Sequence, residues 1–97
     1  MTTIKMIIAS LYSFKNIERI LPVLDYVQKH YADSIKLDEM SALINVESSY
    51  FCRLFKRAMS ISFMEYLYLV RLSHAENLLL NSDKNITEIA YEVGFSS

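Results

Sequence analysis

At 97 residues and 53% hydrophobic content the chain can bury one small core, and a single Gly and a single Pro exclude a turn-rich β protein or a flexible linker. A formal net charge of −1 excludes a uniformly basic nucleic-acid binder, so any positive surface has to be local. The lone Cys52 excludes an internal disulfide and fits a reducing compartment. Leu, Met, Ala, Glu and Lys recur throughout, so the expected class is all-α.

Residues 1–16 carry Ile4, Ile7, Ile8, Leu11 and Phe14 in a helical pattern. The apolar run Met6–Ala9 is far short of the roughly 20 residues of a membrane span, and the segment lacks the charged start and small-residue cleavage site of a signal peptide. No membrane association is therefore expected. This stretch reads as a helix that packs on the domain or trails from something upstream. Pro22 suits a helix start, where its missing N–H is not needed, and Ile20, Leu24, Val27 and Tyr31 follow at helical spacing. Ala32-Asp33-Ser34 breaks the pattern, and His30 reads as a surface or boundary residue.

Leu37–Arg57 has the grammar of a helix-turn-helix, a unit whose second helix enters the major groove of DNA. Leu37, Met40, Leu43 and Ile44 make one stripe. Asn45 stands at a sharp turn, where it tolerates a left-handed backbone better than most residues. The next helix buries Phe51, Leu54 and Phe55, leaving Ser49, Cys52, Arg53 and Lys56 on or beside its outward face. Between Ser48 and Arg71 there are four cations, Arg53, Lys56, Arg57 and Arg71, against Glu65 alone, so a local positive face can form on a nearly neutral chain. With so few cations, non-specific affinity for DNA should be weak.

Ser62 and Glu65 form a capping box that opens a long helix, about residues 63–80. Phe63, Leu67, Val70, His74 and Leu78 line one side of it, widened by Tyr66, Ala75 and Leu79. His74 on such a side reads as a core or boundary residue rather than a ligand. After the turn residues 81–84, Asn85 and Glu88 cap another helix with Ile86, Ile89, Ala90 and Val93 inward and Gly94 as its stop. Phe95-Ser96-Ser97 reads as a turn leading toward a further helix.

Leu37–Val46 (LDEMSALINV) aligns with Ile86–Phe95 (ITEIAYEVGF) at an offset of 49 residues, and its apolar positions match except that Leu43 faces Glu92. This predicts two helix-turn-helix units held apart by the long helix. Eighteen residues at 1.5 Å each span roughly 27 Å, near the roughly 34 Å between successive major-groove windows.

Three segments, SSYFCRLFKR, SFMEYLYLVRLSHAENLLL and NITEIAYEVGFSS, resemble the DNA-binding domain of the AraC/XylS family of bacterial transcription regulators. The resemblance covers about residues 21–97 and implies a helix-turn-helix bundle: a first unit, a long linker helix and the start of a second unit, incomplete at its C-terminus. Residues 1–20 are then a linker or the remnant of an upstream regulatory or dimerisation region. The first recognition helix would be about residues 48–58, with Ser49, Cys52 and Arg53 reading base edges and Ser48, Lys56 and Arg57 touching the DNA backbone. Arg53 is favoured because a guanidinium pairs bidentately with guanine O6 and N7. The plainer alternatives are a surface salt bridge for Arg53, a partly buried small residue for Cys52, and a solvated face for Lys56 and Arg57.

Ser60 departs from the Gly usual after that helix, and Glu47 is a poor N-cap, so Ser48 is the substitute cap. The implied partner is double-stranded promoter or operator DNA, with RNA polymerase and a second copy, joined through an N-terminal region, as further partners in a bacterial cytoplasmic, nucleoid-associated setting. An alternative function is a truncated interaction module that heterodimerises with or titrates a full-length regulator. No catalytic residue, metal ligand or cofactor is expected, since there is no His/Cys metal spacing, Gly-rich phosphate loop or Ser/His/Asp constellation.

Overall fold

A computed structural model describes residues 2–95, and these residues form five helices: α1 (Thr2–His30), α2 (Leu37–Leu43), α3 (Ser48–Met59), α4 (Phe63–Asn81) and α5 (Ile86–Glu92). No strand occurs among the described residues. The expectation of a turn through residues 95–97 falls at Ser96 and Ser97 outside the described residues.

The core is a contact between three phenylalanines. Phe51 and Phe55, one turn apart on α3, meet Phe63 at the start of α4, with ring centroids 5.4–5.9 Å apart and the two contacts to Phe63 edge-on. That geometry suits the quadrupoles of the rings. Ile20, Val23 and Val27 close the cluster from α1, Met40 from α2, and Leu67 and Val70 from α4, all buried. The one buried polar residue among those described, Ser41, is satisfied: its hydroxyl lies 3.0 Å from the Asp38 carbonyl, to which it donates, and 3.2 Å from the Ser48 hydroxyl.

α1 corrects the reading of Pro22 as a helix start, because the helix passes through it without interruption. Pro22 is exposed and removes only one backbone donor, while Ile17 and Ile20 before it and Val23 and Val27 after it pack on the same core. That shared burial holds both halves on one axis. The N-terminal half does not pack on the domain: Ile4, Ile7, Leu11 and Phe14 are 54–73% exposed. At 3.6 residues per turn this stripe lies roughly opposite the face of Ile20, Val23 and Val27, so α1 cannot seat both on one surface. The projecting helix gives the molecule principal extents of 54 × 30 × 17 Å and a radius of gyration of 16.1 Å, against about 13 Å for a compact chain of this size.

α4 begins with the expected capping box, the Glu65 amide donating to Ser62 Oγ (3.1 Å) and the Ser62 amide to the Glu65 carboxylate (3.3 Å). Its predicted stripe is buried only at Phe63, Leu67 and Val70. Farther along, α1 has ended and less of α4 is covered: His74 is half-buried, stacked on Tyr31 at 3.9 Å between centroids, and Leu79 is exposed. α5 has the second capping box, between Asn85 and Glu88, and buries Ile89 and Val93. Ile86 departs from its expected inward place and is 75% exposed, because it sits on the open rim of an apolar groove of about 260 Å³ lined by Leu72, Ala75, Leu79, Ile89 and Phe95.

Phe55→Ala should cost about 3–5 kcal/mol, the range for deleting a buried ring, read as a lower urea midpoint. Pro22→Ala should act oppositely: restoring an exposed mid-helix donor should raise the thermal midpoint and strengthen amide-exchange protection on both sides of residue 22.

Candidate nucleic-acid interface

The angle between α2 and α3 is set by four residues. α2 ends at Leu43 with Ile44 as its C-cap, Asn45 takes the left-handed conformation with φ 57°, and Val46 and Glu47 lead into α3. The Val46 amide donates to the Ser41 carbonyl (3.0 Å) and the Asn45 amide to the Ala42 carbonyl (3.1 Å). This pair of bonds, reaching five and three residues back, is a Schellman motif, and it satisfies helix-end carbonyls that would otherwise be orphaned.

The second unit repeats these bonds at the 49-residue offset. Phe95 donates to Ala90 (2.8 Å) and Gly94 to Tyr91 (3.2 Å), with Gly94 at φ 100°. The sequence repeat is therefore a repeat of backbone geometry.

α3 divides into two sides. Phe51, Leu54, Phe55 and Ala58 are buried, whereas Ser49, Cys52, Arg53, Lys56 and Arg57 are exposed. Cys52 is a free, exposed thiol, so the alternative of a partly buried small residue does not hold. Among the described residues the ion pairs are Lys29–Asp25 and Lys84–Glu92, His30 is hydrogen-bonded to Asp33, and no carboxylate pairs with Arg53, Lys56 or Arg57. A salt bridge is thus not what engages Arg53. Its guanidinium carbon lies instead 5.8 Å from the ring centre of Tyr50, a cation–π distance. Cys52, Arg53, Lys56 and Arg57 also line an open groove of about 530 Å³ that continues over Leu37, Phe63 and Met64.

Two expectations at this site need correction. Glu47 occupies the N-cap of α3 without making a side-chain cap bond, and Ser48 does not replace it. The half-buried Ser48 hydroxyl is engaged with Ser41, tying α3 to α2, while Ser49 donates to the Glu47 carboxylate. Arg71, counted above toward a positive face, is turned inward. Its Nε donates to the Tyr31 carbonyl (2.7 Å) and its Nη2 to the Asp33 carbonyl (2.9 Å), and burial pulls its pKa below the ordinary arginine value. It closes the open C-terminal end of α1 onto α4. Gly94 fits against the same joint, where a Cβ would come within 2.9 Å of Arg71 Nε and 3.0 Å of the Ala32 backbone. Sequence reading missed this role because the acceptors are main-chain carbonyls, which carry no residue signature.

Comparisons agree with this geometry. The profile of a family described as "Helix-turn-helix domain" matches residues 40–97. An uncharacterized HTH-type transcriptional regulator of Staphylococcus aureus is 31% identical over 85 residues, or 88% of this chain, and the Bacillus subtilis regulator YdeC is 30% identical over 81% of it. Among solved structures, the C-terminal domain of the two-component response regulator yesN from Fusobacterium nucleatum superposes with a TM-score of 0.72 at 30% identity, covering 77% of this chain and 78% of that one. The class is that of helix-turn-helix domains of transcription regulators. Within it, the chain belongs to the AraC/XylS family. It spans 11% of the length of the Staphylococcus aureus relative and 27% of YdeC.

Ser60, where relatives are expected to place Gly, closes α3 at φ 65°. A Cβ is unfavourable there by roughly 1 kcal/mol. Ser60→Gly should recover most of that, shifting the urea midpoint upward without changing the slope of the transition.

Proposed function

We propose that this chain binds double-stranded DNA sequence-specifically and serves transcription regulation, with α3 in the major groove. The observation that carries this reading is the division of α3, whose core side fixes the helix and whose other side carries three cations that have no carboxylate partner among the described residues. Arg53 is the principal base reader, bidentate to guanine, with Ser49 exchanging its Glu47 bond for a base edge and Cys52 giving apolar contact. Lys56 and Arg57 neutralise backbone phosphates. Ser48, whose hydroxyl is engaged with Ser41, contributes its free first-turn amide N–H.

Residues 1–20 then connect the DNA-binding unit to an upstream regulatory or dimerising region, although α1 itself runs unbroken across that boundary. The setting is promoter DNA in the bacterial cytoplasm, within reach of RNA polymerase. No helix among the described residues is long and apolar enough to cross a membrane. The family match and the regulator relatives favour DNA binding over an interaction module.

Selection from a random duplex library at low salt should enrich a short motif. Arg53→Ala should lose about 1–3 kcal/mol of discrimination at one base pair while still binding DNA. Lys56→Ala should weaken binding to every duplex and reduce the slope of log K against log salt by about 0.9. Equal losses on all duplexes from both variants would contradict this division.

A further inference from the structure

We infer that α1 carries a second DNA contact, a phosphate-binding seat made by Arg19 and the Tyr50 hydroxyl beside the reading face of α3; this rests on the DNA-binding reading above. Arg19 Nη1 donates to Tyr50 Oη at 2.7 Å, and the Arg19 guanidinium carbon lies 5.4 Å from the ring centre. Arg53 approaches the same ring from α3, so two guanidinium groups from different helices lie within 6 Å of one phenol. Lys15 sits four residues before Arg19 on the same side of α1, and both are exposed.

This arrangement is electrostatically unfavourable as it stands. Like charges at i and i+4 on a helix repel, and a ring face attracts a cation far less than an anion does. Among the described residues no carboxylate lies within ion-pair distance of Lys15, Arg19 or Arg53, and Glu18, although three residues from Lys15 on α1, pairs with none of them. The ligand such a cluster lacks is an anion. The Tyr50 oxygen accepts from Arg19, which leaves its own O–H free to donate, and Arg19 retains further N–H donors in a planar fork that matches a phosphate.

Tyr50 is on the flank of α3 next to Arg53, so an anion seated there is one strand-backbone contact away from the base edges that Arg53 would read. Duplex DNA supplies a phosphate at that place by its regular repeat. Arg19 and Tyr50 are thus positioning contacts. They fix how deep and at what angle α3 enters the groove, and they carry no sequence information themselves.

The test is equilibrium binding of the whole chain to its selected duplex across a salt series, comparing the parent with Arg19→Gln, Arg19→Lys, Tyr50→Phe and Lys56→Ala. Arg19→Gln keeps a donor for Tyr50 but loses the charge. It should weaken binding severalfold on all duplexes and reduce the salt slope by about 0.9, one phosphate's share. Arg19→Lys should keep the parent slope. Tyr50→Phe should weaken binding with the slope unchanged, because a neutral donor is lost.

A lower thermal midpoint for Arg19→Gln with an unaltered salt slope would make Arg19 a strut between α1 and α3 and overturn the proposal. If Lys56→Ala changes the slope and Arg19→Gln does not, only the α1 contact fails. If the parent shows no salt-dependent binding to any duplex, the reading of α3 fails and this seat with it.

Discussion

The interaction on which the rest depends is the contact of Phe51 and Phe55 with Phe63. It joins α3 to α4 and gives α1 and α2 an apolar surface to cover, so the inner side of α3 is held by three neighbouring helices. Rings of this size dominate a small core, and their edge-on packing restricts rotation of α3 about its own axis. That restriction is what gives the outer side a meaning. Arg53, Lys56 and Arg57 can form a defined cationic surface only if the helix beneath them does not roll.

A second constraint is conformational. Asn45, Ser60 and Gly94 all have positive φ, and each ends a helix at a corner the fold requires. Asn and Gly tolerate that region readily, so two of the three corners announced themselves in the sequence. Ser60 did not by its own residue type, because serine carries no preference for that region; only the resemblance marked its place as that of a usual glycine. Gly94 answers a further demand as well: it lies against Arg71 and Ala32, the joint that sets the second unit against the first.

The apolar surface left open is distributed in a telling way. Ile4, Ile7, Leu11 and Phe14 lie opposite the packed face of α1, and Leu79 and Ile86 border the groove between α4 and α5. Both patches have the right helical spacing to be core, which is why periodicity assigned Ile86 and Leu79 inward places. Periodicity reports which residues share a side of a helix. It does not report whether another element stands opposite.

The sequence by itself determined α2 to α5, both capping boxes, the side of α3 that is buried and the 49-residue repeat, because each is written in residue types and spacings within a short stretch of the chain. Only the tertiary structure decided that α1 runs through Pro22, that Ser48 binds Ser41 instead of capping α3, that Arg71 turns inward to carbonyls, and that Arg19 meets Tyr50. Each of these joins residues distant in sequence, or sets a local preference against burial elsewhere. Their outcome depends on which surfaces meet, and no window along the chain contains that information.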